Sequence, residues 1–414
     1  MVASDDPPPG TALVVTSPGW RPDAPLLVAA AAAGVEVIGE VELAWRLQAH
    51  LDRPAPAWLA VTGTNGKTTT VRMLAAILEA AGRRTVATGN VGLPLLDAVL
   101  AEQPYDVLAV ELSSFQLHWS STVRPHTAVV LNVAPDHLDW HGSFDAYAAA
   151  KGRIHAPGTV AVYNREDPES VRLSAGAGAR IGFTLGVPGP GELGLVEDLL
   201  VDRACPDVPG EATELATLAD LRVPGAHNVS NALAASALAR SYGVPAQAVR
   251  DGLQGFVPDP HRNALVATVA GVVWVDDSKA TNPHAAAASL AAYDSIVWVA
   301  GGLLKGADVD DLVRTAAPRL RAVVLLGTDR RAFAQALARH APEIPVVEVE
   351  RLDTGAMSDA VARARALASP GDTVLLAPAA ASMDCFRDYA ERGDLFAQQV
   401  QQVQQVQQVQ QVQQ

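Results

Sequence analysis

Lysine is nearly absent from this chain. Of its 31 basic residues only Lys67, Lys151, Lys279 and Lys305 are lysine, and the other 27 are arginine. Cysteine is scarcer still, with Cys205 and Cys385 alone. Two thiols exclude a disulfide framework and a Cys-only zinc site, and they fit a reducing cytosol. Aromatic residues make up 5% of the chain. No apolar run reaches the ~18 residues that a spanning helix needs. The opening MVASDDPPPG has neither the charged nor the apolar region of a signal peptide. Positive charge is in deficit, with a formal net charge of -14, which argues against broad binding to nucleic acid or anionic membrane.

What is present is a long chain, 414 residues and 49% hydrophobic. At roughly 100–200 residues per domain, two to four domains are expected. The lysine shortage sharpens the reading, because arginine supplies neither a compact ammonium nor a nucleophilic nitrogen. Codon bias would scatter four survivors at random, whereas chemical need would place each in a motif.

Residues 11–40 read strand–loop–helix–strand, and 41–57 are amphipathic up to the break RPAPA. WLAVTG, TVATG, DVLAVEL, TAVVLNV and TVAVYN follow as short β-rich runs with helices between them. Residues 176–222 are Gly/Pro-rich and acidic, and are expected to form loops and small strands. A helical stretch, 228–242, leads to a break at Val257-Pro258-Asp259-Pro260. Alternation then restarts with VVWVDD, SIVWVAGG, AVVLLG, IPVVEV and TVLLAPA, with helices near 284–292, 308–318, 330–340 and 356–368. The pattern predicts α/β units with largely parallel sheets. From Val400 the chain repeats QQV. Valine every third residue matches neither the helical nor the strand period, so a low-complexity tail is expected, extending the helix begun at Arg392–Gln399.

The sequence Val61-Thr62-Gly63-Thr64-Asn65-Gly66-Lys67-Thr68 lies between a predicted strand and a predicted helix. That is the context of a phosphate loop. Glycines aim backbone N–H groups at phosphate, and the helix N-terminus adds a favourable dipole. Lys67 would reach the β/γ-phosphates and Thr68 would ligate Mg²⁺. The usual first glycine is Val61 here, so the loop is a variant. Glu111 ends the DVLAV strand, and Asp136-His137-Leu138-Asp139 follows TAVVLNV. Ligands of open α/β sheets bind at such strand ends, and carboxylate with imidazole suits a divalent metal. Alone, a strand-end Glu is more often a surface residue or cap, and His137 alone could be a hydrogen-bonded loop histidine.

TGTNGKTT, GNVGLP, ELSSFQL, NVAPDHLDWHG with AYAAAKGRI, GAHNVSNALAA, PHRN, DDSKATNP and APAAASMDCFRDYAERG occur in that order. Together they resemble the Mur ligases of peptidoglycan synthesis over about residues 12–397. Three segments look most like the D-glutamate-adding members. Each motif alone is weak or moderate, but the ordered set is specific. The resemblance implies a three-domain α/β architecture. A Rossmann-like UDP-binding domain comes first, then a central P-loop ATPase domain and a C-terminal dinucleotide-fold domain. It implies that ATP phosphorylates the carboxylate of UDP-N-acetylmuramoyl-L-alanine and that the amine of D-glutamate attacks the acyl phosphate, leaving an amide, ADP and phosphate. Two Mg²⁺ sites are implied. The small-molecule substrates are the partners; no nucleic acid, membrane or obligate protein partner is implied, and the location is cytoplasmic.

Residue by residue, the resemblance gives every lysine a position. Lys67 is the phosphate-loop lysine, and Lys151 matches one that becomes a carbamate with CO₂ and ligates Mg²⁺. Lys279 lies near the ATP phosphates and the reaction centre; Lys305 binds the incoming glutamate. Gly63, Thr64, Asn65, Gly66, Thr68 and Thr69 surround the phosphates. Asn228, Asn231 and Arg262 are nucleotide-side residues, and Asp277 holds the ribose; Asn228 alone could equally be a helix cap. Glu111, His137, Thr68 and carbamylated Lys151 are the implied metal ligands. Ser17, Pro18 and Gly19 lie beside the uridine, and Asn90 touches the muramoyl part. Thr281 and Ser382 lie around the glutamate carboxylates. Tyr389 stands where the pattern has phenylalanine, which bears on amino-acid preference. His261 receives no role.

The expected domains are a remnant of the UDP-binding domain (1–40), a central P-loop domain (41–258), an amino-acid-binding domain (259–399) and the QQV tail (400–414). The short first segment is expected to lack a βαβ unit of ~30 or more residues, through truncation or a misplaced start, and to expose a sheet edge. Besides D-glutamate ligation, three alternatives stand. They are a related ligase using L-glutamate or another amino acid, a truncated paralogue that binds ATP with impaired ligation, and a P-loop kinase or GTPase. The last explains Lys67 but not the other three lysines.

Overall fold

A computed structural model describes residues 5–222, 225–257 and 260–412, with side chains described up to residue 405 at the C-terminal end. The break at Pro258-Asp259 lies outside the described residues. The chain forms two compact units. One runs to Arg222 and includes His227–Phe256, and the other begins at Val257.

The first unit opens with β1 (Leu13–Thr16), the helix Pro25–Ala32 and β2 (Glu36–Gly39). The two strands form a small parallel sheet of their own. Leu13 and Val15 of β1 are exposed, so this sheet shows apolar surface to solvent.

A nine-stranded sheet follows. Its strands are β3 (Ala57–Thr62), β4 (Ala87–Gly89), β5 (Val107–Glu111), β6 (Thr127–Val130), β7 (Val160–Asn164), β8 (Ala179–Phe183), β9 (Glu192–Val196), β10 (Leu199–Asp202) and β11 (Thr213–Thr217). Across the sheet the order is β11-β10-β9-β8-β7-β6-β3-β5-β4. Pairing is parallel from β4 to β9 and antiparallel through β9, β10 and β11. The strands β3, β5 and β6 are apolar without alternation because helices cover both faces, as parallel sheets require. Trp58, Ala60, Leu108, Val110, Ala128 and Val130 form one buried face. Each large buried side chain contributes about 1.5–3 kcal/mol. β3 sits between β5 and β6, so the strand order reverses there. The crevice beyond its C-terminal end is the place where this topology binds ligands.

The second unit holds β12 (Ala264–Val269), β13 (Val272–Asp276), β14 (Ile296–Gly301), β15 (Leu320–Leu326), β16 (Val346–Glu348) and β17 (Thr373–Leu376). The order is β12-β13-β17-β14-β15-β16, with only β12 antiparallel to its neighbour. Trp298 of β14 is fully buried, and its indole N–H donates to Ala377 O at 2.7 Å.

The QQV repeat is helical. One helix runs Tyr389–Val412, because glutamine is a good helix former and neither Gly nor Pro follows Gly393. Val400 is fully buried, and Val403 packs on the same core, so the first two repeat valines share one face. Among the described residues no helix is long and apolar enough to cross a membrane.

Candidate active site

In the first unit the phosphate loop joins the end of β3 to the helix Lys67–Ala80. Gly66 has φ +82° at the helix N-cap, and a Cβ there would lie 2.4 Å from Asn231 Oδ1. Only glycine meets both demands. Asn231 also accepts from Thr70 Oγ1 at 3.2 Å, so the helix carrying GAHNVSNA is held against the loop. From the other side, Asn132 receives the Asn65 N–H at 2.9 Å and returns its amide to Asn65 O at 3.1 Å. Thr64 Oγ1 bonds the Tyr147 hydroxyl at 2.9 Å and accepts the Ala134 N–H at 3.0 Å.

Two lysines converge on one carbonyl. Lys67 Nζ donates to Gly63 O and Thr64 O, each at 2.9 Å, and Lys151 Nζ donates to Gly63 O at 2.7 Å. Lys151 is only 2% exposed and lies 4.6 Å from the Tyr147 ring centre. Burial, and then the neighbouring Lys67 cation, hold its pKa well below the ordinary lysine value. The shift favours the uncharged, nucleophilic form of the amine.

Glu111 ends β5 with its carboxylate buried. Asn90 Nδ2 donates to Oε1 at 2.8 Å, while Oε2 is buried with no hydrogen-bond partner. His137 has φ +52° and packs on Phe115 with ring centres 4.7 Å apart. Partial desolvation lowers its imidazole pKa although about half of the side chain (48%) is exposed and the Asp136 carboxylate, 3.6 Å away, opposes the shift. The charges of Asp136, Lys67 and Lys151 all act on His137, and those of Lys67, Asp136 and Glu111 act on Lys151. The four motifs therefore share one electrostatic environment. Among the described residues, no group of three or more His, Cys, Asp and Glu side chains is arranged to hold a metal. Pro18 and Gly19 form a turn after the exposed Ser17, with Pro18 half-buried and Gly19 exposed, and Trp140 Nε1 donates to Gly19 O over 3.3 Å.

In the second unit, Lys279, Lys305 and Ser382 follow the C-terminal ends of β13, β14 and β17. Lys279 Nζ stands 3.7 Å from the ring centre of Tyr389, a cation–π contact. Ser382 is buried, Lys305 is exposed, and Thr281 is half-buried with its N–H on Lys279 O at 2.8 Å. Beneath them Arg392 is fully buried. Its guanidinium donates to Ser278 Oγ at 2.9 Å, Ser278 O at 2.8 Å and Ala380 O at 3.1 Å.

The sequence of the first unit matches the family model of the Mur ligase middle domain over residues 61–239, and that of the second matches the Mur ligase glutamate ligase domain over residues 261–380. The chain is 65% identical to the UDP-N-acetylmuramoylalanine--D-glutamate ligase of Thermobifida fusca, covering 95% of this chain and 85% of that protein. The chain belongs to the Mur ligase family. It is also 63% identical to the Streptomyces coelicolor enzyme of the same name, over 95% of this chain and 85% of that one. The fold resembles MurF from Thermotoga maritima in complex with ADP (TM-score 0.64, 16% identity, 95% of each chain). It also resembles E. coli FolC in complex with ADP and DHPP (TM-score 0.62, 20% identity, 88% of this chain and 93% of that one). The α/β multidomain fold expected from the sequence is therefore the Mur ligase fold.

The Mur ligase motifs are gathered as two sets. Lys67, Thr64, Asn65, Gly63, Gly66, Asn231, Glu111, Asn90, His137 and Lys151 belong to the first unit. Arg262, Asp277, Lys279, Thr281, Lys305, Ser382 and Tyr389 belong to the second. Asn228 is buried on the helix Ala226–Ser241, and Thr68 and Thr69 open the phosphate-loop helix. Three residues inside the quoted motifs, Asn132, Tyr147 and Arg392, were not singled out, and His261 was given no role. A polar residue flanking an apolar run was the available signal for each. His261 Nδ1 lies 2.6 Å from Asp276 Oδ2, and that carboxylate raises its pKa.

Asp277 differs from a plain ribose-facing carboxylate. It is buried, Asn263 N–H reaches its Oδ1 at 3.0 Å, and Ser289 Oγ donates to its Oδ2. Burial raises its pKa to about 6 from 3.8. Between those values the folded chain keeps a proton that the unfolded chain has released. Its stabilising effect is thus full below the ordinary carboxylate pKa and is lost as pH rises through about 6. Above that the ionised form costs about 3 kcal/mol. Asp277→Asn is expected to raise the melting temperature at pH 8, with the gain shrinking toward pH 4. Equal or lower stability of the variant at pH 8, in a thermal unfolding series against pH, contradicts this.

Proposed function

We propose that the chain is an ATP-dependent amide ligase. It adds D-glutamate to UDP-N-acetylmuramoyl-L-alanine through an acyl phosphate, in the cytoplasmic assembly of the peptidoglycan precursor. The names of its 63–65% identical relatives support the substrates. The observation that carries the chemistry is the convergence of Lys67 and Lys151 on Gly63 O, with the charge of the partly unpartnered Glu111 carboxylate acting on Lys151.

Lys67 neutralises the transferring phosphoryl group, and the N-terminus of the helix that begins at Lys67 adds a favourable dipole. The residues also fit Mg²⁺. Glu111 Oε2 is a buried acceptor without a partner, His137 is a neutral imidazole, and Thr68 opens the helix. Of these three donors only Glu111 is an anion, and a Lys151 carbamate adds a second one. Bound Mg²⁺ would neutralise phosphoryl charge. The uncharged form of the Lys151 amine, which burial favours, is the one that adds to CO₂. Its retention as lysine in an arginine-rich chain has the same reason, since guanidinium cannot take part. In the second unit Lys279 offers an ammonium to the reacting carboxyl-phosphate end. Lys305, with Ser382 and Thr281, binds the carboxylates of the incoming amino acid.

The test is phosphate release with ATP, UDP-N-acetylmuramoyl-L-alanine and each of D-glutamate, L-glutamate and D-aspartate. Release is expected with D-glutamate alone. Preference for L-glutamate would assign the chain to the related-ligase alternative. Phosphate release that ignores the amino acid would reduce it to an ATPase.

A further inference from the structure

Three loops of the second unit are stapled together around the residues that take the amino acid. Lys305 follows β14, and its neighbour Leu304 donates its N–H to Asp329 Oδ2 at 2.8 Å. The N–H of Asp329 returns to Gly302 O at 3.1 Å. Leu303 and Ala381 exchange two backbone hydrogen bonds, at 2.8 and 2.9 Å, and Ser382 is the next residue. Asp384, two residues further on, accepts the Thr328 N–H at 2.7 Å, and Thr328 precedes Asp329. The bonds close a ring through the loops after β14, β15 and β17.

Three features mark this ring as built rather than incidental. A Cβ on Gly327 would lie 2.6 Å from Gly302 Cα, and one on Gly302 would lie 2.1 Å from Ala381 O. The loops therefore touch at backbone distance, which glycine alone permits. Asp329 occupies the N-cap of the helix Arg330–His340 but makes no capping bond. Aspartate there normally caps its own helix, yet this carboxylate is turned to Leu304 instead. Lys305 itself has φ +53°, a conformation that a side-chain-bearing residue keeps only when its surroundings impose it.

We propose that Asp329 and Asp384 are positioning residues for the amino-acid substrate. They fix the separation of Lys305 and Ser382, and with it the distance between the two carboxylates that the site accepts. The inference rests on the ligase reading for the substrate, while the ring itself does not. Aspartate carboxylates beside a site for a dicarboxylic amino acid would repel it if they faced it. Here one oxygen of each is committed to a backbone N–H of a neighbouring loop.

The experiment compares full-length wild type, Asp329→Ala, Asp329→Asn and Asp384→Ala, each checked for an unchanged melting profile. Hydrogen exchange is read by peptide. Asp329→Ala is expected to lose protection in 302–306 and 380–384 together, with β14 and β15 unchanged. Kinetically, KM for D-glutamate is expected to rise about ten- to hundredfold, with KM for ATP and for the UDP substrate within about twofold and the preference over D-aspartate reduced. Asp329→Asn keeps an acceptor oxygen and is expected to recover most of the loss. Unchanged exchange in both peptides, or a uniform rise in all three KM values, overturns the proposal. If wild type shows no D-glutamate-dependent phosphate release, the ligase reading fails, and the exchange data still decide whether the ring is held by Asp329.

Discussion

Lys151→Arg will lower ligation at least about a thousandfold, beyond what loss of a single hydrogen-bond donor costs, and added bicarbonate will not restore it. The wild-type amine sits 2.7 Å from Gly63 O, at 2% exposure, against the Tyr147 ring. Burial and Lys67 lower its pKa, which favours the uncharged form that adds to CO₂. The product is an anion where there was a potential cation, which reverses the local charge opposite His137 and Glu111. Arginine stays protonated, forms no carbamate and carries a larger planar head. The substitution therefore leaves two positive charges on one carbonyl and the metal ligands short of an anion. Phosphate release measures the loss. Labelled bicarbonate followed by carbon NMR is expected to show a carbamate signal in wild type and none in the variant. An active Lys151→Arg enzyme, or wild type that keeps full activity after exhaustive CO₂ removal, would refute the role.

How far the sequence foretold this depends on what holds each part together. Strands β3, β5 and β6 were legible because burial on both faces demands unbroken apolar runs. β12 was not. Its Leu265 points to solvent at 66% exposure, so the alternation is inverted, and its hairpin turns through Ala270-Gly271, both at positive φ, without the Asn-Gly signature. The terminal helix was foreseen as an extension of Arg392–Gln399, but its buried face was not. A period of three predicts no continuous stripe, but two valines three apart are enough to bury one face, and propensity carries the rest. In the site, motifs named the side chains but not their bonds. That Lys67 and Lys151 share Gly63 O, or that Asp277 is enclosed by Ser289 and Asn263, depends on contacts between segments far apart in sequence. Such contacts leave no local pattern.

Arg392 shows the same gap with the largest consequence for stability. A buried arginine normally has a carboxylate partner, but this one donates to a hydroxyl and two carbonyls, and burial pulls its pKa down to about 10. One planar fork thereby ties the turn before Lys279 to the loop before Ser382. Ser278 Oγ in turn donates to Tyr389 O at 2.7 Å, which fixes the ring beneath Lys279. Arg392→Ala removes every donor at once, leaves two carbonyls without these partners and opens a cavity. A loss of about 3–5 kcal/mol is expected, read as a lower urea midpoint. Arg392→Lys keeps the charge but has no fork to span three acceptors, and should lose about half as much. A midpoint unchanged by Arg392→Ala would mean that the guanidinium's desolvation had cancelled its hydrogen bonds. In that event the cation would be kept for its geometry alone, and activity would fall while stability held.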